Sequence, residues 1–88
     1  MSEVVFTLLT KPGCHLCDDA RTELANTLQR PEVRALGIHP RIKEVNVLED
    51  EELLAKHAEE IPVLLIDGKM HSYWHIDPDR LIRSLQER

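Results

Sequence analysis

The stretch Lys11-Pro12-Gly13-Cys14-His15-Leu16-Cys17 lies between an apolar run and an amphipathic segment, and it holds both cysteines of the 88-residue chain. A Cys-x-x-Cys at the point where a strand hands over to a helix reads first as a redox couple. With Cys14 at the helix start, its sulfur faces backbone N–H groups that lack an intrahelical partner, and Cys17 lies one turn further along on nearly the same face. An attacking thiolate and its resolving partner are thereby held together.

Upstream, Val4 to Leu9 is a nearly unbroken apolar run containing two valines and Phe6. It is too short for a helix and does not alternate, which predicts a central strand covered on both faces. Downstream, Pro12 and Gly13 turn the chain, and Leu16, Ala20, Leu24 and Leu28 recur every four residues as the stripe of a first helix, with Cys17 beside it. Pro31 ends or kinks this helix, Gly37 suits a left-handed cap, and His39-Pro40 makes a turn-like approach to the next strand. Ile42 to Val47 is β-branched enough for a half-covered edge strand. Glu49 to Glu52 favours a helix N-terminus, and Leu53, Leu54, Ala55 and Ala58 give the second helix its inward face until Ile61-Pro62 stops it. Val63 to Ile66 reads as a buried strand, Asp67-Gly68 as a two-residue hairpin turn, and Lys69 to Trp74 as the antiparallel return. Asp77-Pro78 fits an N-cap followed by proline at the first helical position, with Leu81, Ile82 and Leu85 facing inward. The order is βαβαββα in one α/β domain spanning 1–88, without internal repeats or low-complexity tracts.

Composition narrows the function. The chain is 42% hydrophobic with one Phe, one Tyr and one Trp, so its core rests on Leu, Val, Ile and Ala. A net charge of -5 without a Lys/Arg cluster argues against a nucleic-acid partner. Residues 1 to 10 lack signal-peptide features and no apolar run reaches spanning length, so no membrane is expected and the cytoplasm is the expected location. Thiols there rest reduced, and a disulfide closing so short a loop would add little stability, which leaves chemistry as the reason for the pair.

Within the order βαβαββα, Cys14-x-x-Cys17 after the first strand and Ile61-Pro62 before the third resemble the thioredoxin fold, and in compactness the glutaredoxin branch. The Lys/Pro/Gly lead-in resembles in particular a bacterial group of glutaredoxin-like proteins, and the likeness covers essentially the full chain. It implies a four-stranded mixed sheet of order 2-1-3-4 flanked by three helices, thiol–disulfide oxidoreductase activity, Cys14 as nucleophile, Cys17 as resolving thiol and a cis Ile61-Pro62 bond. A cis bond there turns the backbone of Ile61 toward the sulfur and offers its N–H and C=O groups to an extended substrate. Trp74-His75-Ile76-Asp77 occupies the place of a Gly-Gly and acidic cap, which makes Trp74 and Asp77 candidate substrate-binding residues beside Ile61 and Pro62.

A free cysteine near pKa 8.5 is only a few per cent thiolate at neutral pH, and lowering Cys14 to about 7 requires about 2 kcal/mol. A helix N-terminus contributes about 0.3 to 1 kcal/mol in ordinary sites, so Lys11 and His15 are the candidate activating residues. Asp18 and Asp19 oppose them. The expected partners are a disulfide-containing protein or small thiol as substrate, and a reductase or glutathione as electron donor, with no resident cofactor. His15-Leu16 in place of Pro-Tyr, and the acids Glu59-Glu60 before Ile61, favour a donor other than the anionic glutathione, although Lys11 and Arg80 offset part of that repulsion.

Two rival readings stay open. Two cysteines supply half a zinc site, but no second Cys-x-x-Cys or His-x3-His accompanies them and His15, His39, His57, His71 and His75 are scattered, so no metal site within one chain is expected. Some glutaredoxins share an iron–sulfur cluster between two chains with glutathione as extra ligand. The other rival is a non-catalytic interaction domain that presents Tyr73 and Trp74 as a recognition surface.

Overall fold

A computed structural model describes residues 3–87. The apolar run forms β1 (Glu3–Thr10), and period-two alternation sends Val4, Phe6 and Leu8 to one face and Thr7 and Leu9 to the other, all of them buried. A strand apolar on both faces belongs in the middle of a sheet. β1 pairs in parallel with β2 (His39–Asn46) and antiparallel with β3 (Val63–Ile66), and β4 (Lys69–Tyr73) closes the mixed sheet in the order β2-β1-β3-β4. The turn between β3 and β4 needs positive φ at both central residues, which Asp67 (50°) and Gly68 (84°) adopt. Asp67 also ties that turn to the central strand: its carboxylate accepts from Val5 N–H and its own N–H donates to Val5 C=O, both at 2.8 Å.

The helices are α1 (His15–Leu28), the four-residue α2 (Pro31–Arg34), α3 (Glu51–His57) and α4 (Pro78–Gln86). The main core packs Val4, Phe6 and Leu8 against Ala20, Leu24 and Leu28 of α1 and Leu81, Ile82 and Leu85 of α4. Each fully buried leucine there contributes about 1.5–3 kcal/mol by leaving water. A smaller cluster of Leu9, Cys17, Val47, Ile61 and Val63 lies at the end of β1 where α1 begins. No helix among the described residues is long and apolar enough to cross a membrane.

Several expectations need correction. Beyond the three expected helices there is α2, because Pro31 occupies the first helical position, where its missing N–H costs nothing. A 3-10 turn, Val47–Glu49, takes Val47 out of β2. His39 and Pro40 are not a turn but the first residues of β2, an edge strand that tolerates proline. The stripe of α1 starts at Cys17, with Leu16 turned out at 37% exposure. In α3 Ala55 is exposed, as is its C-cap Ala58, while Leu53 and Leu54 are half-buried and the buried residue is His57 at 7% exposure. The His57 Nδ1 lies 3.7 Å from Glu60 Oε1, outside hydrogen-bond reach.

Candidate active site

The turn that delivers Cys14 depends on Gly13, whose φ of 70° lies where a side chain would be strained. Cys14 is the N-cap of α1, with φ −106° and ψ 111°, and its Sγ accepts the Cys17 backbone N–H at 3.1 Å. A sulfur thus takes the capping role that serine or aspartate fills in most helices, so negative charge on it is favoured by a backbone donor as well as the helix dipole. The two sulfurs stand at disulfide distance, with 5.2 Å between the Cα atoms. Their surroundings differ. Cys14 is half-buried at the edge of the smaller cluster, whereas Cys17 is 1% exposed within it.

Ile61 belongs to that same cluster, and the bond from Ile61 to Pro62 is cis. The carbonyl of Pro62 accepts the backbone N–H of Trp74 at 2.8 Å, and the Trp74 Nε1–H donates to the carbonyl of Glu59 at 3.0 Å. Trp74 adopts φ 68°, a region that costs a bulky residue about 1–3 kcal/mol, and these two bonds hold it there. Trp74 as a whole is 49% exposed, and its ring meets that of Tyr73 edge-on at 5.0 Å. Cys14, Cys17, Ile61, Pro62 and Trp74 are therefore one connected neighbourhood.

Two clefts flank it. The first, about 230 Å³, is lined by Cys14, Lys11, Thr10, Asp18, Arg21 and Glu44 among others. Arg21 grips Glu44 through Nε to Oε1 (2.7 Å) and Nη2 to Oε2 (2.8 Å), and reaches Asp18 Oδ1 through Nη1 (2.7 Å). The Thr10 hydroxyl donates to Glu44 Oε2 at 3.0 Å. The Arg21 hydrogen bonds hold the Glu44 carboxyl below its ordinary range, helped by Thr10 and opposed by partial burial. The same carboxylate, followed by Asp18, holds Arg21 charged beyond the ordinary guanidinium range. The second cleft, about 190 Å³, is lined by Asp19, Ala20, Glu23, Trp74, His75 and Ile76.

The other candidates are more dispersed. Lys11 is exposed in the first cleft, and His15 is exposed at the first position of α1. Asp77 lines neither cleft: its Oδ1 caps α4 by accepting the N–H groups of Asp79 (3.1 Å) and Arg80 (3.3 Å). No local motif marks Thr10, Arg21 or Glu44 as a group. The spacing of Asp18 and Arg21 signals their own i,i+3 pair, but the approach of Glu44 depends on the β1–β2 register, in which it stands opposite Leu8.

Comparison with known proteins agrees with the fold. Residues 5–86 match the model of the glutaredoxin-like domain (DUF836). The chain is 33% identical over 84 residues to an uncharacterized protein of Mycobacterium tuberculosis, covering 92% of this chain and 81% of that one. A structural-genomics target protein from X. campestris superposes with a TM-score of 0.71 at 26% identity, over 94% of this chain and 97% of that chain. The oxidized form of mitochondrial thioredoxin 3 from Saccharomyces cerevisiae shares the fold at 14% identity, with a TM-score of 0.61 over 100% of this chain and 81% of its own. Since the family match runs through every strand of the sheet and across both cysteines, the chain belongs to the glutaredoxin-like domain family, and its fold is that of thioredoxin.

Proposed function

We propose that this protein is a thiol–disulfide oxidoreductase in which Cys14 attacks and Cys17 resolves. The supporting observation is the unequal burial of the two sulfurs: Cys14 is reachable at the helix start, while Cys17 sits enclosed one turn behind it. The Cys14 thiolate attacks one sulfur of a substrate disulfide and forms a mixed disulfide, and the other substrate sulfur leaves as a thiolate. The Cys17 thiolate then attacks Cys14 Sγ, forms the Cys14–Cys17 disulfide and releases the second substrate sulfur, which takes up a proton. Two electrons have passed from the dithiol to the substrate. An external reductase or thiol donor returns them, and a reducing cytoplasm suits that resting state.

The backbone N–H of Cys17, the start of α1 and the Lys11 ammonium in the same cleft favour the Cys14 thiolate, and His15, next to Cys14 in the chain, adds to them when protonated. Asp18 opposes it less than its position implies, because its carboxylate is engaged by Arg21. Ile61 packs beside both sulfurs, so a substrate segment that reaches Cys14 runs along Ile61 and Pro62.

Mixed-disulfide trapping tests the assignment. With a disulfide substrate, Cys17→Ser is expected to accumulate a covalent adduct visible by mass spectrometry, and Cys14→Ser none. Equal adduct yields from the two variants would reverse the conclusion. Comparing turnover with glutathione and with a thioredoxin-reductase system identifies the donor, and the second is expected to be faster.

A further inference from the structure

The second cleft bears on the substrate, and this inference rests on the exchange reading above. Trp74 is a half-exposed aromatic ring anchored at both ends, through its backbone N–H to Pro62 and its indole N–H to Glu59. Its cleft combines that ring and the buried Ala20 and Ile76 with two carboxylates, Asp19 and Glu23, and with His75. Asp19 and Glu23 are four residues apart on α1 and so share one helix face. Among the described residues neither is ion-paired.

An indole face beside two unpaired carboxylates matches a long basic side chain in both of its parts. The methylene stem packs on the ring and on Ile76, and the charged head meets the carboxylates and the electron-rich ring face. An acidic side chain in the same place meets like charge. The cleft is tied to the sulfurs through Pro62, which binds Trp74 N–H and follows Ile61, so a chain lying along Ile61 toward Cys14 passes Trp74. We propose that the Trp74 cleft docks a lysine or arginine side chain close to the cysteine of an extended, disulfide-bearing polypeptide substrate.

The test uses the full chain, pre-reduced, and two symmetrical peptide disulfides that differ only in lysine or glutamate two positions from the cysteine. The second-order rate constants for their reduction are compared at low and high salt. The lysine peptide is expected to react about tenfold faster at low salt, with the ratio shrinking at high salt. Asp19→Asn with Glu23→Gln is expected to collapse the ratio toward one, and Trp74→Ala to reduce it. Circular dichroism verifies that the variants fold, and Trp74→Phe, which keeps a ring, is expected to retain more of the ratio than Trp74→Ala. Equal rates for the two peptides with the unaltered protein, or a preference that survives loss of both carboxylates, would overturn the proposal while leaving exchange by Cys14 intact. Failure to reduce either peptide, together with no trapped adduct in Cys17→Ser, would instead remove the exchange reading.

Discussion

On the β2 side of Cys14, Asp18 and Glu44 both hold Arg21, whereas on the Trp74 side Asp19 and Glu23 face their cleft without an ion pair among the described residues. Asp18 and Asp19 are adjacent in the chain and end on opposite flanks, because one helical residue turns through about 100°. The first flank is internally balanced: a bidentate guanidinium–carboxylate pair with a threonine hydroxyl behind it joins α1 to β2 next to the sulfur. The second leaves its charge unspent. A flank of the first kind holds the nucleophile in place and tunes it, and one of the second kind selects what approaches.

The largest effect is expected where the charge is unspent. Exchanging two carboxylates for two ammonium groups, as in Asp19→Lys with Glu23→Lys, is expected to reverse the peptide preference so that the glutamate peptide leads, a swing of about a hundredfold at low salt. Asp18→Asn, which alters charge on the balanced flank, is expected to leave the ratio within about twofold. If the two flanks respond alike, the distinction between them has no functional content. Rate constants at two ionic strengths decide it, since steering of this kind fades as salt rises.

The balanced flank is read through the thiol. In a Cys17→Ser background, where a single thiol titrates, Arg21→Gln is expected to raise the Cys14 pKa by about half a unit and Glu44→Gln to lower it by a similar amount. The opposite signs follow from removing a positive and a negative charge from one solvated cleft, and the double change is expected to return near the starting value. Thiolate absorbance against pH supplies the measurement. Shifts of the same sign would mean that both substitutions act by loosening α1 from β2 instead of through charge.

This contrast between flanks was only partly legible in the sequence. The apolar run Val4–Leu9, the Asp67-Gly68 turn, the Asp77-Pro78 cap and the cysteine pair each carry a local physical signature, and each appears where its signature put it. The start of the α1 stripe is not legible from apolarity, since Leu16 is the more apolar residue, whereas burial follows helix phase and selects Cys17, three residues before Ala20. His57 is buried although no local pattern marks it, since a seven-residue helix with Leu53, Leu54 and His57 inward has few positions to choose from. Asp77 caps α4 through Oδ1, the role its Asp-Pro pattern signals. The Arg21–Glu44 pair requires the parallel register of two strands separated by 28 residues of helix and loop, which no local pattern fixes.

Acid stability sharpens the contrast further, with a smaller effect. Because Glu44 has a lowered folded pKa, the unfolded chain binds its proton more readily. The stabilisation is complete above the ordinary value of 4.5 and is lost as pH falls through the lower folded value. The Glu44 side chain is 38% exposed, so the pair is screened and its contribution shrinks with salt. Denaturant midpoints for Glu44→Gln are expected to fall less steeply with acid than those of the unaltered protein, and the difference is expected to narrow at high salt.

The smallest effect belongs to a group on neither flank and separates their titration from the rest of the molecule. His71, half-buried on β4, has its pKa lowered first by burial and then by Arg80, with Asp77 acting the other way. A base with a depressed folded pKa takes up its proton more readily in the unfolded chain. The stability it permits is whole above the ordinary value of 6.5 and declines as pH falls below it. His71→Asn is therefore expected to flatten the midpoint curve between neutral pH and about 5, and to leave the steeper acid limb to the carboxylates. The Glu44 change acts on that lower limb, so the two variants bend different stretches of one curve. If His71→Asn instead altered the limb where Glu44 titrates, the Arg21–Glu44 pair would be coupled to the far end of the sheet, and the balanced flank would not be the self-contained unit that its hydrogen bonds describe.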